Sequence, residues 1–146
     1  MVKVRNIIEG KKIICIQQNE TVQTAVEMLV TNNVGAIIVL NGEQLVGIFS
    51  ERDLLSRVVY KKLNPVEVMI KDVMTTHLVV ADGSETLQDA LQKLQQINAR
   101  HLPVVDKDKL VGIVSMRSLL SADVKKKEEE IKWLNAYIHY VPPGKE

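Results

Sequence analysis

The apolar residues along this chain follow two spacings in a fixed order, and that order occurs twice. Residues 21–33 and 86–98 each place apolar side chains three or four positions apart, the spacing of a helix with one buried face. A short apolar run precedes each helix, at residues 14–17 and 78–81, and predicts a strand. The apolar positions of the two helices are Val22, Ala25, Val26, Leu29 and Val30, and then Leu87, Ala90, Leu91, Leu94 and Ile97.

Each predicted helix is followed by two apolar runs that three polar residues separate, which predicts a β-hairpin. The first hairpin spans residues 36–49 and contains Asn41-Gly42, a strong hairpin signal between apolar runs. The second spans residues 101–114 and turns at residues 106–108. A last helix is predicted to begin at Ser50 in the first half and at Ser115 in the second. The predicted fold is therefore α/β and consists of two consecutive β-α-β-β-α units.

The two halves are also related residue by residue. A shift of 65 positions aligns residues 14–56 with 79–121 without a gap, and 16 of these 43 pairs are identical. Within this match VGIFSERDLL is repeated as VGIVSMRSLL. Two units are too few for an open solenoid, so we expect a pseudo-symmetric pair packed through the two sheets. The predicted units are residues 1–62, with an N-terminal lead-in, and residues 63–122, with a linker helix; residues 123–146 form a C-terminal helix and tail.

Composition narrows the class of protein. A chain of 146 residues with 46% hydrophobic and 25% charged residues can bury a sizeable core. Nineteen basic against eighteen acidic residues, and 3% aromatics, give no reason to expect a nucleic-acid partner. No apolar run is long enough for a signal peptide or a membrane span. The single cysteine, Cys15, cannot form an internal disulfide, so we expect a cytoplasmic protein.

The segment Ser50-x-x-Asp53 has two interpretations. At a helix start, the two side chains can cap the unpaired backbone N–H groups of the first turn. The same geometry can instead present a carboxylate to the two hydroxyls of a ribose, with a hydroxyl three residues earlier and a helix N-terminus that favours anions. The second copy carries Ser118 in place of Asp53 and therefore lacks this charged acceptor. The two copies are predicted to be unequal sites.

Catalytic patterns are missing from the sequence. His77, His101 and His139 show no metal-ligand spacing, and no glycine-rich phosphate loop occurs. Cys15 lies in an apolar strand, where a buried and inert thiol is expected rather than a nucleophile. We therefore predict that the protein is not an enzyme and requires no cofactor, and we assign no metal-binding residues. A redox-responsive adaptor that acts through Cys15 is a minor alternative.

The order of elements and several motifs resemble the CBS domain, two of which form a Bateman module. The resemblance covers residues 14–122 and is carried by VGAIIV and RHLPVV in the second strands, by VGI in both third strands, by Ser50-x-x-Asp53, and by IKDVM in the linker. It implies two clefts between paired sheets that bind adenosine-containing ligands. The family's units usually attach to enzymes, channels or transporters, whereas this chain is similar to the free-standing kind.

The resemblance also implies roles for residues. Ser50 and Asp53 would hold the ribose; Arg100, His101, Arg52 and Arg117 would reach phosphates; and the start of the second strand would line the adenine. For Arg117 a solvated helix face, and for His101 a structural hydrogen bond, are equally open. The predicted ligand-binding set is Ser50, Asp53, Arg52, Gly35, Ala36, Ile37, Cys15, Arg100, His101, Pro103, Ser115 and Arg117, with Pro103 taken as a strand-edge or bend marker.

The C-terminal segment is predicted to be a helix with an aromatic cluster. Lys-Glu pairs three residues apart in residues 125–130 favour a helix modestly. Its apolar residues can pack on the chain's own units or form a dimer or partner contact. Residues 141–146 are expected to be frayed. The residues concerned are Ile131, Leu134 and Ile138, with Trp133, Tyr137 and Tyr140 beside them.

These features together predict a regulatory module that binds an adenosine nucleotide, of the AMP, ADP, ATP or NAD(H) class. Binding would rearrange the two units or a homodimer, and an unknown target would respond to that change. The alternative is a protein-interaction or assembly module whose clefts no longer bind a ligand. Ser50 and Asp53 favour binding, whereas Ser118 favours loss of one site.

Overall fold

The computed structural model describes residues 1–139 and confirms the α/β fold with two similar units. Helix α1 precedes the first unit, and α5 ends the second. The elements are α1 (Val4–Ile8), β1 (Cys15–Gln17), α2 (Val22–Asn32), β2 (Ala36–Asn41), β3 (Gln44–Ser50), α3 (Glu51–Asp53), β4 (Ala81–Asp82), α4 (Leu87–Ile97), β5 (His101–Asp106), β6 (Lys109–Ser115) and α5 (Met116–Ile138).

Each unit contains a three-stranded sheet with the same pairing. Strand β2 lies between a parallel β1 and an antiparallel β3, and β5 lies likewise between β4 and β6. Ala36 pairs with Ser50, and His101 pairs with Ser115 at positions 65 residues further on. The same irregularity in register follows Val39 and Val104. The duplication seen in the sequence is therefore confirmed down to the register of the strands.

Local sequence sets the ends of α2 and α4 in the same way. The Thr21 hydroxyl accepts a hydrogen bond from the Thr24 amide, and the Thr86 hydroxyl accepts one from the Asp89 amide. Asn33 and Asn98 end these helices in the left-handed conformation that Asn tolerates better than most residues. Both helices accordingly match the segments predicted from apolar spacing.

The helix after β3 differs from the prediction in its geometry. It is α-helical for Glu51–Asp53 and then π-helical over Leu54–Val59. The Ser56 hydroxyl donates to the Arg52 carbonyl at 2.8 Å, and so occupies the acceptor that the Ser56 amide would use in an α-helix. The wider turn then follows, and the Tyr60 amide bonds to the Leu55 carbonyl five residues back.

Strand β4 is shorter than predicted, and Pro103 explains why. In the first unit, the Ile38 amide donates to the Ile14 carbonyl and extends the parallel ladder. Pro103 occupies the position of Ile38 and has no N–H group, so this bond cannot form to Val79. The strand predicted over residues 78–81 is therefore present with shifted bounds, since pairing begins only at Ala81 and includes Asp82. Pro103 itself lies in the central strand of its sheet, not at an edge as predicted.

The segment before each unit packs against the other unit. Val4 and Ile8 of α1 are buried in the core of the second unit, with Leu87 and Leu102. Ile70, which precedes the second unit, is buried in the core of the first, as is the following Val73. The predicted domain boundaries, which give each lead-in to the unit that follows it, remain predictions. In the folded chain each lead-in segment therefore contributes to the core of the other unit, so the two units cannot separate without exposing both cores.

Helix α5 continues without a break from the second unit into the C-terminal segment. Leu119 is buried in the second unit, whereas Ile131, Leu134 and Ile138 are each more than half exposed. The alternative in which these residues pack on their own units was therefore wrong. Lys127 forms its ion pair with Asp123 at 3.0 Å, not with the predicted Glu130. Tyr140 and the predicted frayed end lie outside the described residues.

Within residues 1–139, no helix is both long enough and apolar enough to span a bilayer.

Candidate functional site

The first cleft lies where the end of β3 in the first unit faces the start of β5 in the second. Its cavity has a volume of about 330 Å³. Because its two walls come from different units, any change in their relative placement changes the shape of the cleft. It is lined by Gly35, Ile48, Ser50, Glu51, Arg52, Asp53, Ser56, Arg57, Thr75, Ile97, Asn98, Ala99, Arg100 and His101.

Asp53 is the buried acidic group at one side of this cleft. The residue is 7% exposed, the only charged one in the buried part of residues 1–139. Its Oδ2 accepts hydrogen bonds from the Ser50 amide at 3.0 Å and from the Ser50 hydroxyl at 3.1 Å. The Ser50 Oγ accepts in turn from the Asp53 amide at 3.2 Å. The hydrogen bonds of the capping interpretation of Ser50-x-x-Asp53 are thus present in the structure.

The other oxygen of Asp53 contacts the segment that leads into the second unit. The Thr75 hydroxyl donates to Asp53 Oδ1 at 3.1 Å. Arg57 lies 3.8 Å from the same oxygen and donates to the backbone carbonyls of Val73 at 3.1 Å and Met74 at 2.8 Å. Neither Thr75 nor Arg57 is among the ligand-binding residues predicted from the sequence. The four-residue spacing from Asp53 to Arg57 was the available signal for the arginine.

Arg100 and His101, which are predicted to reach phosphates, line the same cleft from the second unit. The His101 ring lies against Gly35, where a Cβ would come within 3.3 Å of its Cε1 and Nε2. Burial lowers the pKa of the His101 imidazole below its ordinary value of 6.5, and this effect outweighs the opposite influence of the Glu51 carboxylate. The Arg52 guanidinium instead bridges the units, donating to the Asn98 carbonyl at 3.0 Å.

The second cleft is related to the first by the duplication but has different chemistry. It has a volume of about 630 Å³. Ser115 and Ser118 share a hydrogen bond of 2.8 Å at the start of α5, where the first unit has Ser50 and Asp53. Gly35, Glu51 and His101 line both clefts and separate them. The rest of its lining is Ile8, Lys11, Lys12, Ile14, Asn32, Asn33, Val34, Ala36, Gly112, Ile113 and Arg117.

Comparison with known proteins identifies the repeated unit. A model of the CBS domain family matches residues 4–60 and again residues 70–125. The chain belongs to the CBS domain family. It is a tandem pair of CBS units, and each family match includes the lead-in segment that crosses to the other unit.

Relatives and solved structures agree with this assignment. The chain is 33% identical over 125 residues to the CBS domain-containing protein CBSX3, a mitochondrial protein of Arabidopsis thaliana. The match covers 82% of this chain but only 61% of that relative. A CBS-domain protein structure from Burkholderia ambifaria superposes with a TM-score of 0.81 at 25% identity, covering 85% of this chain and 95% of that one.

One structure with the same fold contains a nucleotide. The CBS domain protein PAE2072 from Pyrobaculum aerophilum, solved in complex with AMP, superposes with a TM-score of 0.73 at 23% identity. The superposition covers 80% of this chain and 89% of that protein. At this identity the likeness concerns the fold, so the AMP belongs to that protein.

Three residues of the predicted ligand-binding set lie away from the lining of both clefts in the CBS pair. Ile37 is fully buried in the core of the first unit, and Pro103 is buried in β5. Cys15 is half-buried in β1, and burial raises the pKa of its thiol above 9.0. This placement does not support ligand contacts by these side chains, and it gives Cys15 no thiolate character.

Proposed function

We propose that the protein is a regulatory module that binds an adenosine nucleotide in its first cleft. The observation that carries this proposal is the buried Asp53 carboxylate, which faces Arg100 and His101 across a cavity of about 330 Å³. A carboxylate suits a vicinal diol, and cationic or N–H donors suit phosphate. The two ends of a nucleotide would thus contact different CBS units.

The hydrogen bonds of Asp53 can be rearranged to admit a ribose. Both oxygens now accept from hydroxyl groups, Ser50 on one side and Thr75 on the other. Each of these hydroxyls can rotate, and a ribose hydroxyl can take its place as a donor without leaving the carboxylate unpaired. The Ser50 amide bond to Asp53 would remain and hold the carboxylate in place.

The remaining lining fits the other parts of a nucleotide. Ile48, Ile97 and Ala99 offer apolar surface for a base, while Arg100 can bind a phosphate by two parallel N–H bonds. The volume is at the low end for small-molecule sites, which favours a mononucleotide over a dinucleotide. The AMP bound by PAE2072 supports the view that this fold can accept such a ligand.

Ligand binding would change the relative positions of the two CBS units. A ligand shifts an equilibrium only when it binds one conformation more tightly than another. Here Asp53 and Arg100 lie in different units, and Thr75 connects Asp53 to the lead-in of the second unit. If Asp53 and Arg100 both contact one nucleotide, binding would favour a conformation in which the two units lie closer together. A target protein would respond to that conformation. The single unreactive cysteine is compatible with the reducing, cytoplasmic setting that we propose.

The proposal is tested by calorimetric titration with adenosine, AMP, ADP, ATP, NAD and NADH. We expect saturable binding of at least one nucleotide, with one equivalent in the first cleft. The Arg100→Ala change should lower the affinity for AMP by about tenfold and leave the affinity for adenosine nearly unchanged, because only the phosphate contact is lost. Absence of binding by every ligand would refute the proposal.

We also propose that α5 pairs two copies of the chain. Leu120, Val124, Lys127, Ile131, Leu134 and Ile138 follow the alternating three- and four-residue spacing of a coiled-coil seam, and the five apolar members are at least 47% exposed. Two antiparallel copies centred on Glu129 would place Leu120 opposite Ile138 and Val124 opposite Leu134. Lys127 would lie opposite Ile131 and near Glu130 of the second copy, whereas a parallel pair would stack two Lys127 ammonium groups.

Light scattering after size-exclusion chromatography tests this pairing. We expect a dimer for the unmodified chain and a monomer for Leu134→Glu, which places a charge in the seam. Ala136→Glu adds the same charge to the opposite face of the helix and should remain dimeric. A monomeric unmodified chain, or equal dissociation of both variants, would refute the seam.

A competing function is a protein-interaction or assembly module with inactive clefts, and the exposed row on α5 is the observation that favours it. It predicts dimerisation or partner binding together with no response to any nucleotide. The titration above therefore separates the two functions.

A further inference from the structure

The second cleft opens beside another cavity on the same face of the molecule. This cavity has a volume of about 530 Å³ and lies between the N-terminal segment and α5. Lys11, Arg117 and Ser118 line both spaces, so the two cavities adjoin at these residues, and together they are called the recess. The remaining lining of the added cavity is Val2, Asn6, Ile7, Ser121, Ala122, Lys125, Lys126 and Glu129.

Positive charge is concentrated in this recess. Its cations are Lys11, Lys12, Arg117, Lys125 and Lys126, and its carboxylates are Glu51 and Glu129. The whole chain, by contrast, has nearly equal numbers of basic and acidic residues. The cations come from two separate parts of the chain, the lead-in to the first unit and helix α5, so the fold and not a local run brings them together.

None of these five cations has an ion-pair partner among residues 1–139. The ion pairs of that part of the chain use Arg5, Arg57, Lys93 and Lys127. In the first cleft, by comparison, Arg57 is held by two carbonyls and Asp53. Unpaired like charges around one recess repel each other, and a multivalent anion in the recess would remove that repulsion.

The sugar-binding feature of the first cleft is missing here. Ser118 stands where Asp53 stands in the first unit, so no carboxylate accepts from a diol. Ser115, Ser118 and Ser121 instead offer hydroxyl donors to anionic oxygens, next to the first turn of a helix of 23 residues. Replacement of the carboxylate thus removes both a ribose contact and a negative charge that would oppose a phosphate.

We propose that this recess binds an oligophosphate through its phosphate groups alone, without a requirement for a nucleoside. The shared chemistry is a chain of phosphates, which can be a free inorganic oligophosphate or the tail of a nucleotide. The site is separate from the nucleotide site of the first cleft. Lys11 and Arg117 lie at the junction of the two cavities and would hold the middle of the chain, while Lys126 would hold an end.

The experiment is a calorimetric titration of Asp53→Ala protein with sodium tripolyphosphate, ATP and adenosine. The Asp53→Ala change disables the first cleft and leaves the recess intact. We expect one equivalent of tripolyphosphate to bind and adenosine not to bind. If ATP also binds and competes with tripolyphosphate, its tail occupies the recess; if ATP does not bind, the ligand is a free oligophosphate.

Charge-matched variants assign the binding to the recess. When Lys11→Ala and Lys126→Ala are introduced together into the Asp53→Ala protein, the affinity for tripolyphosphate should fall by about tenfold or more, because charged hydrogen bonds are lost. Lys109→Ala with Lys132→Ala removes the same charge elsewhere and should change binding by less than about twofold. Ser118→Asp, which introduces a negative charge, should also weaken binding by about tenfold.

Three results would overturn the proposal: no binding of tripolyphosphate, binding of ATP without binding of tripolyphosphate, or an equal loss in both lysine pairs. Titration of AMP into the chain with an intact Asp53 keeps the two sites distinguishable. The Lys11 and Lys126 changes should leave AMP binding unaltered, so failure of the recess would leave the proposed nucleotide site standing.

Discussion

Asp53→Ala is the most informative single substitution, because Asp53 has a structural contact and a proposed ligand contact on the same carboxylate. In the structure it caps its own helix through Ser50 and accepts a hydrogen bond from the Thr75 hydroxyl. In the proposed complex it also accepts from a ribose. Loss of the side chain should therefore change both the stability of the protein and its affinity for a nucleotide, by amounts that can be separated.

The two effects are similar in free energy but appear in different measurements. Loss of a capping side chain costs about 1 kcal/mol, and loss of the acceptor for Thr75 costs about another 1 kcal/mol. The sum of about 2 kcal/mol corresponds to a fall in Tm of about 4–8 °C for a chain of this length. A hydrogen bond to a charged group contributes about 1.5–3 kcal/mol, so nucleotide affinity should fall by about 10- to 100-fold.

The second unit contains a matched control for the capping role. Asp89 forms the same kind of capping box, with the Thr86 amide donating to its Oδ2 at 3.1 Å, but it is exposed and lies in neither cleft. Asp89→Ala should lower the Tm by about 2–4 °C and leave nucleotide binding unchanged. Thermal unfolding and calorimetric titration of both variants give the comparison. Equal nucleotide affinity in Asp53→Ala and unmodified protein would refute the ribose contact and leave Asp53 as a cap.

Three further predictions concern the fold. Because burial lowers the pKa of His101 in the folded state, the unfolded chain binds a proton first as the pH falls below 6.5, and the stability of the protein should decrease there. Between pH 7.5 and 5, the Tm of His101→Gln should therefore decline less than the Tm of the unmodified chain. The control variant His139→Gln should follow the unmodified chain. Gly47→Ala should destabilise the protein by about 1–3 kcal/mol in urea unfolding, since its Cβ would lie 2.9 Å from the Thr75 carbonyl oxygen, and Gly112→Ala should cost less because it meets only a side chain at 3.2 Å. Phe49→Ala, at a fully buried position, should cost about 3–5 kcal/mol in the same assay, and a cost below 1 kcal/mol would contradict its place in the core.

Features that depend on local sequence and on the repeat could be predicted. The apolar spacing of α2 and α4 defines one buried face, and Thr21 and Thr86 mark where each helix begins. The polar residues between the apolar runs predict both hairpins, and the two-residue loops that join the strands, Gly42-Glu43 and Lys107-Asp108, leave the register little freedom. The 65-residue shift then carries every pairing of β2 with β3 to β5 with β6, and every pairing of β1 with β2 except Cys15 with Ile38 to β4 with β5.

Features that depend on contacts between distant segments could not be predicted. Nothing local in residues 70–75 shows that they pack on the preceding unit, because their apolar residues would fit either core. Thr75 reaches Asp53 only through this crossing. The contribution of Pro103 was visible in the sequence, but its effect on β4 required knowing that the amide at this position faces β4 and not β6.

The differences between the two units meet at the clefts, because each cleft is lined by residues of both units. His101 occupies the position that Ala36 has in the first unit, and its ring lies 3.3 Å from where a Cβ on residue 35 would be. Gly35 therefore leaves room for the His101 ring, which stands between the clefts. In the second unit the position of Gly35 is taken by Arg100, which carries a charge into the cleft that contains Asp53. The unit that has Ser118 at the position of Asp53 thus supplies the cationic wall of the other unit's cleft, so neither difference can be understood within a single CBS unit.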